Sequence, residues 1–301
     1  MYQEIIVEDT REELIQFPNK QWKHVILHTN LEQTLFGYIP IHWHHALQFM
    51  YVINGEIDVS IGDKVIKINK EDGLFINSNI VHEIRSECAE TEYYCWNIEI
   101  PETTYDLEFN YVAQIMNKAN QVPYIYLSHI DDQQNKLIKT IHSAGKIYEN
   151  AYPYFELDIT VKYYEALKWL LLNVDNICEH KPYYFDRRIK QLMAYMQNNY
   201  HKKISLQTLS EQIHMSQSET IKCFKYYVNQ TPMQYLTNLR LERSVRMLYS
   251  KQSYTITDIA MACGFSTTSY FIKVFKEKYD LTPKQFQKKQ FTPYHVYKYD
   301  K

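Results

Sequence analysis

The sequence predicts an α+β protein: a β-rich front region, a short helical middle and an all-α rear third built from a duplicated pair of helices. Three observations carry this. Short apolar runs broken by turn residues fill the first hundred positions, helical periodicity takes over near Asp131, and residues 205–290 repeat at a spacing of 50 to 51.

The front strands follow from turn chemistry. Leu47–Ile53 and Ile57–Ile61 flank Asn54-Gly55-Glu56, and an Asn-Gly pair favours a hairpin turn. Gly62-Asp63 separates Ile57–Ile61 from Val65–Ile68, and Glu71-Asp72-Gly73 precedes Leu74–Ile76. Cys95–Ile100 reads as a further strand. Four of the six glycines, Gly37, Gly55, Gly62 and Gly73, fall here, as turn chemistry requires, and short strands at such regular intervals suggest a small barrel or sandwich. In the middle region Leu137, Ile138, Ile141 and Ile147 share a helical face, as do Tyr163, Leu167, Leu170 and Leu171. A linker is expected at Glu179-His180-Lys181-Pro182, since a proline disfavours helix just before it. The expected domains are residues 1–130, 131–182 and 183–301.

Composition bounds the function. With 301 residues, 45% hydrophobic and 23% charged, the chain suits two globular domains. Its five cysteines (Cys88, Cys95, Cys178, Cys223, Cys263) are odd in number and lack CxxC spacing. That argues against a disulfide framework or a cysteine zinc cluster and for a reducing cytoplasm. The acidic start MYQEIIVEDTREEL is unlike a signal peptide, and the longest apolar stretch, Trp169–Val174, is too short for a bilayer, so no membrane partner is expected. Charge is divided unevenly. Residues 183–301 hold 19 Lys+Arg against 8 Asp+Glu, a net of +11, while residues 1–182 hold 14 against 27, a net of −13. A basic half joined to an acidic half points to nucleic-acid binding by one half alone, though a merely solvated basic surface gives the same count.

The repeat sharpens this. At an offset of 51, Ser218 falls on Ser269, Ile221 on Ile272, Lys222 on Lys273, Phe224 on Phe275, Lys225 on Lys276 and Thr231-Pro232 on Thr282-Pro283. Upstream the offset is 50: Leu206 falls on Ile256, Leu209 on Ile259 and Ser216 on Ser266, which implies one extra residue in the second turn. Each copy reads as helix, turn, helix. In the second copy Phe271, Val274 and Phe275 face inward, and Ser269, Ile272, Lys273 and Lys276 face outward. A helix-turn-helix lays its second helix in the major groove, where short polar side chains meet base edges and lysines meet phosphate or guanine. The expected DNA-facing residues are Gln217, Ser218, Ile221, Lys222 and Lys225, with Thr268, Ser269, Ile272, Lys273 and Lys276. A protein-binding helical repeat is the competing reading.

These residues carry a resemblance. Arg240-Leu241-Glu242-Arg243, Ile256–Ala260, Cys263-Gly264-Phe265-Ser266, Ser269-Tyr270-Phe271, Val274-Phe275-Lys276 and Leu281-Thr282-Pro283 resemble the DNA-binding domain of the AraC/XylS family of regulators. The resemblance implies seven helices, with a long one around Met233–Tyr249 joining the two pairs. His214 replaces a glycine in the first turn, and Asn229 and Asp280 replace glycines that end the second helices. Asn and Asp tolerate the left-handed backbone better than other non-glycine residues.

The front region resembles a cupin-like barrel over residues 20–100, through Gly37, His42-Trp43-His44, Gln48, Gly55, Gly73 and His82, with Asn77 and Ser78 in place of prolines. Matching positions in cupin enzymes hold three histidines and a glutamate around a metal. Here Gln48 replaces the acid, and the expectation is a metal-free ligand pocket of His42, His44, Gln48, Tyr51, His82 and Trp96, without a cofactor. Aromatic and polar groups together suit a sugar-like effector. No carboxylate spacing demands acid–base catalysis and no phosphate loop is present, so an enzyme is not expected. The expected protein is a homodimeric transcription regulator with promoter DNA, a small effector and RNA polymerase as partners. A metal-dependent cupin enzyme or metal sensor fused to a DNA-binding domain, or a ligand-independent regulator, are the alternatives.

Overall fold

A computed structural model of the chain describes residues 11–18, 21–100, 107–176, 187–249 and 254–288. The linker expected at 179–182 lies outside the described residues. Described residues 12–176 form one compact unit, and Arg11 with 187–288 forms another. No helix among the described residues is long and apolar enough to cross a membrane.

The first unit is two antiparallel sheets with helices on one of them. Its strands are β1 (His24–Asn30), β2 (Ile39–His42), β3 (Leu47–Asn54), β4 (Glu56–Ile61), β5 (Lys64–Asn69), β6 (Gly73–Ile76), β7 (His82–Arg85), β8 (Glu92–Ile98) and β9 (Tyr124–Leu127). One sheet runs β1-β8-β3-β6-β9 and the other β2-β7-β4-β5. The two sheets face each other rather than closing into a continuous hydrogen-bonded ring. β4 shows the expected alternation: Ile57, Val59 and Ile61 are buried, and the residues between them are half-buried. β3 is buried from Leu47 to Val52, because one face meets the other sheet and the opposite face meets helices. Gly55 turns β3 into β4 at φ +72°, and a Cβ there would lie 2.6 Å from Thr91 Oγ1.

Helices α1 (Leu107–Met116), α2 (Asp132–Asn150) and α3 (Phe155–Asn173) cover the outer face of the five-stranded sheet. Asp131 caps α2 by accepting from the main-chain N–H groups of Gln133 and Gln134. Leu137, Ile138, Ile141 and Ala144 of α2, and Tyr163, Leu167 and Leu170 of α3, join Tyr51, Tyr94 and Trp96 in one core.

The second unit holds seven helices among the described residues: α4 (Arg187–Asn199), α5 (Leu206–Gln212), α6 (Gln217–Val228), α7 (Pro232–Leu248), α8 (Ile256–Ala262), α9 (Thr268–Tyr279) and α10 (Pro283–Lys288). The long α7 joins the two repeats, as the resemblance implies. Leu209, Phe224, Ile259 and Phe275, placed inward by the repeat, are all fully buried. Arg11 belongs to this unit. Its guanidinium donates to Glu242 Oε2 at 2.8 Å and to the Tyr235 hydroxyl at 2.8 Å, all on or against α7 and all buried.

Candidate functional site

Two sets of residues can carry chemistry. The first lies on α6 and α9. Ser216 caps α6, accepting from the Glu219 N–H, while Glu219 returns a carboxylate to the Ser216 N–H, a complete capping box. Thr267 caps α9 by accepting from the Tyr270 N–H. These caps correct one detail of the repeat: Ser216 corresponds to Thr267, not Ser266. The extra residue therefore lies inside the second turn, which spans 263–267 against 213–216 in the first. His214 (φ 53°), Asn229 (φ 54°) and Asp280 (φ 56°) are all left-handed, as expected where they replace glycine.

The outward faces match the repeat. Gln217, Ser218, Lys222 and Lys225 are exposed on α6, and Ser269, Ile272, Lys273 and Lys276 on α9, with Ile221 and Thr268 half-buried. Thr220 and Phe224 of α6, and Phe271 and Phe275 of α9, point into the core. Polar tips on the free face of a well-capped second helix suit a groove lined by phosphates and base edges. Tyr270, part of the motif Ser269-Tyr270-Phe271 but not among the expected DNA-facing residues, is an exposed aromatic beside this face.

The second set lies between the two sheets. His42 and His82 are register partners across β2 and β7, with ring centroids 4.2 Å apart. His44, just past β2, stands 5.3 Å from the His82 ring, and its Nε2 lies 2.7 Å from Gln48 Oε1 of β3. All four side chains are buried. Burial lowers the affinity of His44 for a proton, and burial with the two neighbouring imidazoles lowers that of His82 further, so both rings are neutral at pH 7.

Two residues of the expected pocket sit elsewhere. Tyr51 and Trp96 lie on the opposite face of the five-stranded sheet. Tyr51 stacks on His142 of α2 at 4.6 Å, and Trp96 donates from Nε1 to His24 Nδ1 at 3.3 Å. Side chains alternate along a strand, so Gln48 and Tyr51, an odd number of residues apart, cannot share a face. Trp96 pairs across the sheet with Phe49 and shares its side. His45 turns outward to Glu12, at 3.2 Å.

One residue joins the cluster from far upstream. Glu13 donates its main-chain N–H to Trp43 O at 2.8 Å, and its Oε2 lies 3.4 Å from His42 Nε2. Burial pushes the Glu13 carboxyl up to about 7. Nothing in the spacing around His42 signals it, because Glu13 sits on an irregular segment outside the strands.

Comparison with known proteins matches the regions in which most of these residues lie. Residues 209–289 match the helix-turn-helix domain family, and residues 37–95 match the cupin domain family. An uncharacterised HTH-type transcriptional regulator, YdeC of Bacillus subtilis, is 28% identical over 264 residues, covering 86% of this chain and 90% of that protein. The HTH-type transcriptional activator RhaS of Enterobacter is 28% identical over 102 residues, covering 34% of this chain and 36% of RhaS. The crystal structure of fatty-acid-bound ToxT from Vibrio cholerae aligns with TM-score 0.45 and 12% identity, over 91% of this chain and 97% of that one.

Proposed function

We propose that this chain, which belongs to the AraC/XylS family of transcription regulators, changes its hold on promoter DNA when a small effector binds its cupin-like unit. The chain is a regulator and not an enzyme. One observation carries the DNA-binding half: two capped second helices, α6 and α9, expose lysines at equivalent positions, Lys222 with Lys273 and Lys225 with Lys276. A buried cluster of polar groups in the other unit supports sensing, and its His82 Nε2 is buried with no hydrogen-bond partner among the described residues.

Several finer readings belong with this. The effector class to test first is a sugar or sugar derivative, whose hydroxyls suit the Gln48 amide and the imidazoles. The loss of Tyr51 and Trp96 from the lining leaves that reading resting on the polar groups alone. A homodimer is supported by α3, where Leu157, Val161, Tyr164 and Leu172 form one exposed apolar stripe. Activation through RNA polymerase in the cytoplasm completes the reading.

The test uses the full chain. Thermal shift against a panel of sugars and metabolites should find a stabilising effector, and that effector should alter affinity for a two-site operator in a gel-shift titration. Operator binding that no compound changes, with transcription equally unresponsive, would reduce the cupin-like unit to a scaffold.

A further inference from the structure

We propose that α6 and α9 read one base word twice, in the same direction, on successive turns of one duplex. The two copies of the word are alike where serine, isoleucine and lysine read them, and they differ where Glu219 stands against Tyr270. The inference rests on reading the second unit as the DNA-binding half and deepens it by naming the form of the operator half-site.

The two outward faces are equivalent. Both helices hold 12 residues, and each begins from a hydroxyl cap, Ser216 or Thr267. Each ends at a left-handed residue whose N–H donates to a lysine carbonyl, Asn229 to Lys225 and Asp280 to Lys276. Thr220 and Phe224, four and eight residues past the first cap, are buried, as are Phe271 and Phe275 at the same steps past the second. Equal phase about the helix axis sets Ser218 with Ser269, Ile221 with Ile272, and Lys222 with Lys273 at equivalent places. A lysine reads guanine O6 and N7, and an apolar tip meets a thymine methyl. The same side chains in the same places select the same bases.

The direction follows from α7. It starts as α10 does, from a Thr-Pro pair whose threonine hydroxyl accepts from the N–H of a glutamine, Thr231 from Gln234 and Thr282 from Gln285. It ends ahead of α8 as α4 ends ahead of α5. One helix therefore closes the first pair and opens the second. A two-fold operation that carried α4 onto α7 would carry α7 back onto α4, whereas here the equivalent of α7 is α10. The pairs are related head to tail, which gives a direct repeat and not a palindrome. The step is held firmly. Arg240 of α7 donates to Tyr200 O and Lys202 O, each at 2.8 Å, and Lys278 of α9 donates to Asn238 of α7 at 3.2 Å. α7 spans about 25 Å, and the helices packed at its ends extend that toward one duplex turn of about 34 Å.

The two words diverge at the first helical turn. Glu219 Oε2 accepts from the Ser216 N–H at 3.1 Å and from Ser216 Oγ at 2.6 Å, which fixes an anion there. Tyr270 at the equivalent place is an exposed ring. A carboxylate accepts from cytosine N4, whereas a ring meets a thymine methyl. Gln217 and Thr268 differ too, but Thr268 is half-buried, with its Oγ1 3.5 Å from Thr257 Oγ1 of α8.

The test is selection from a random-sequence duplex library by the untagged full chain at low salt, without metabolite, with circular dichroism as the check on folding. The wild type should enrich a word containing a guanine and a thymine, repeated on the same strand about 10.5 base pairs on. At one position, cytosine in the first copy should give way to thymine in the second. Tyr270→Glu puts an acid three residues after the Thr267 cap, where it completes a capping box and so preserves α9. This variant should convert the second word to the first and bind the wild-type sequence about fivefold or more weakly. A Tyr270→Glu protein with unchanged selection overturns the role of Tyr270. Two unrelated words, or words one turn apart in opposite directions, overturn the shared word and leave the regulator reading intact. A folded wild type that enriches no sequence overturns both.

Discussion

The two helix-turn-helix pairs share a plan and differ in how they are held. The first turn, 213–216, is one residue shorter and puts His214 in the left-handed region at φ 53°. The second, 263–267, has Gly264 at φ 81°, so close to the residue following α4 that a Cβ would lie 2.4 Å from Tyr200 O. Behind α6, Thr220 bonds back to Ser216 O at 2.9 Å and Phe224 packs on Tyr235. Behind α9, Phe271 takes the place of that threonine, and Phe275 meets Phe271, Tyr279 and Phe286. The outward lysines keep both residue and register, while the inward positions keep register but vary in residue, as at Thr220 and Phe271. Groove contact constrains position, whereas packing needs only volume and apolarity, which different residues can supply.

The largest expected effect tests the cores. Phe275→Ala should cost about 3–5 kcal/mol and Phe224→Ala should fall toward the low end of that range, because among the described residues Phe275 packs within an aromatic cluster of Phe271, Tyr279 and Phe286. Urea melts of both variants measure this, and a larger loss at Phe224 would break the contrast. Next come the turns, where the signs should be opposite. Gly264→Ala should destabilise by about 2–4 kcal/mol, from the left-handed backbone and the overlap with a main-chain oxygen. His214→Gly should stabilise by about 0.5–1 kcal/mol, since the same backbone strain is relieved. Equal melting shifts of the same sign would mean the two turns are under the same constraint. The smallest effect concerns the faces. Lys222→Ala and Lys273→Ala should each weaken operator binding by about 1–3 kcal/mol if they read bases. If they touch only phosphate, the loss should be the same on unrelated DNA, with a shallower salt dependence. A loss at one lysine alone would show that the pairs are not used alike.

Much of this was legible in the chain itself. The offset repeat located α5, α6, α8 and α9, because each copy buries the same few positions. The runs between turn residues located β3 to β6, and the run Cys95–Ile100 overlaps the last four residues of β8. β1, β2, β7 and β9 were not visible; in the last three, four residues are too few to show a period, and β6, equally short, was marked only by the turn Glu71-Asp72-Gly73. The grouping of His42, His44, Gln48 and His82 was legible through the cupin resemblance. Strand parity alone separates Tyr51 from Gln48, so Tyr51 falls outside that grouping. Glu13 was beyond reach: its partner is fixed by tertiary pairing with Trp43, not by any local pattern.

The ion pair between Arg11 and Glu242 bears on how such genes can be rearranged. In sequence the rear third looks like a cassette that could be exchanged between regulators at the segment before α4. The buried Glu242 carboxylate, however, takes its guanidinium from Arg11, 231 residues earlier in the chain. A chimera that joined a foreign front region to this rear third would bring Glu242 without Arg11. Lys278, at 3.7 Å, would be left as the nearby cation. Exchange of the rear third is therefore least disruptive when the segment around Arg11 travels with it, so the heritable module is discontinuous even though the helices are not.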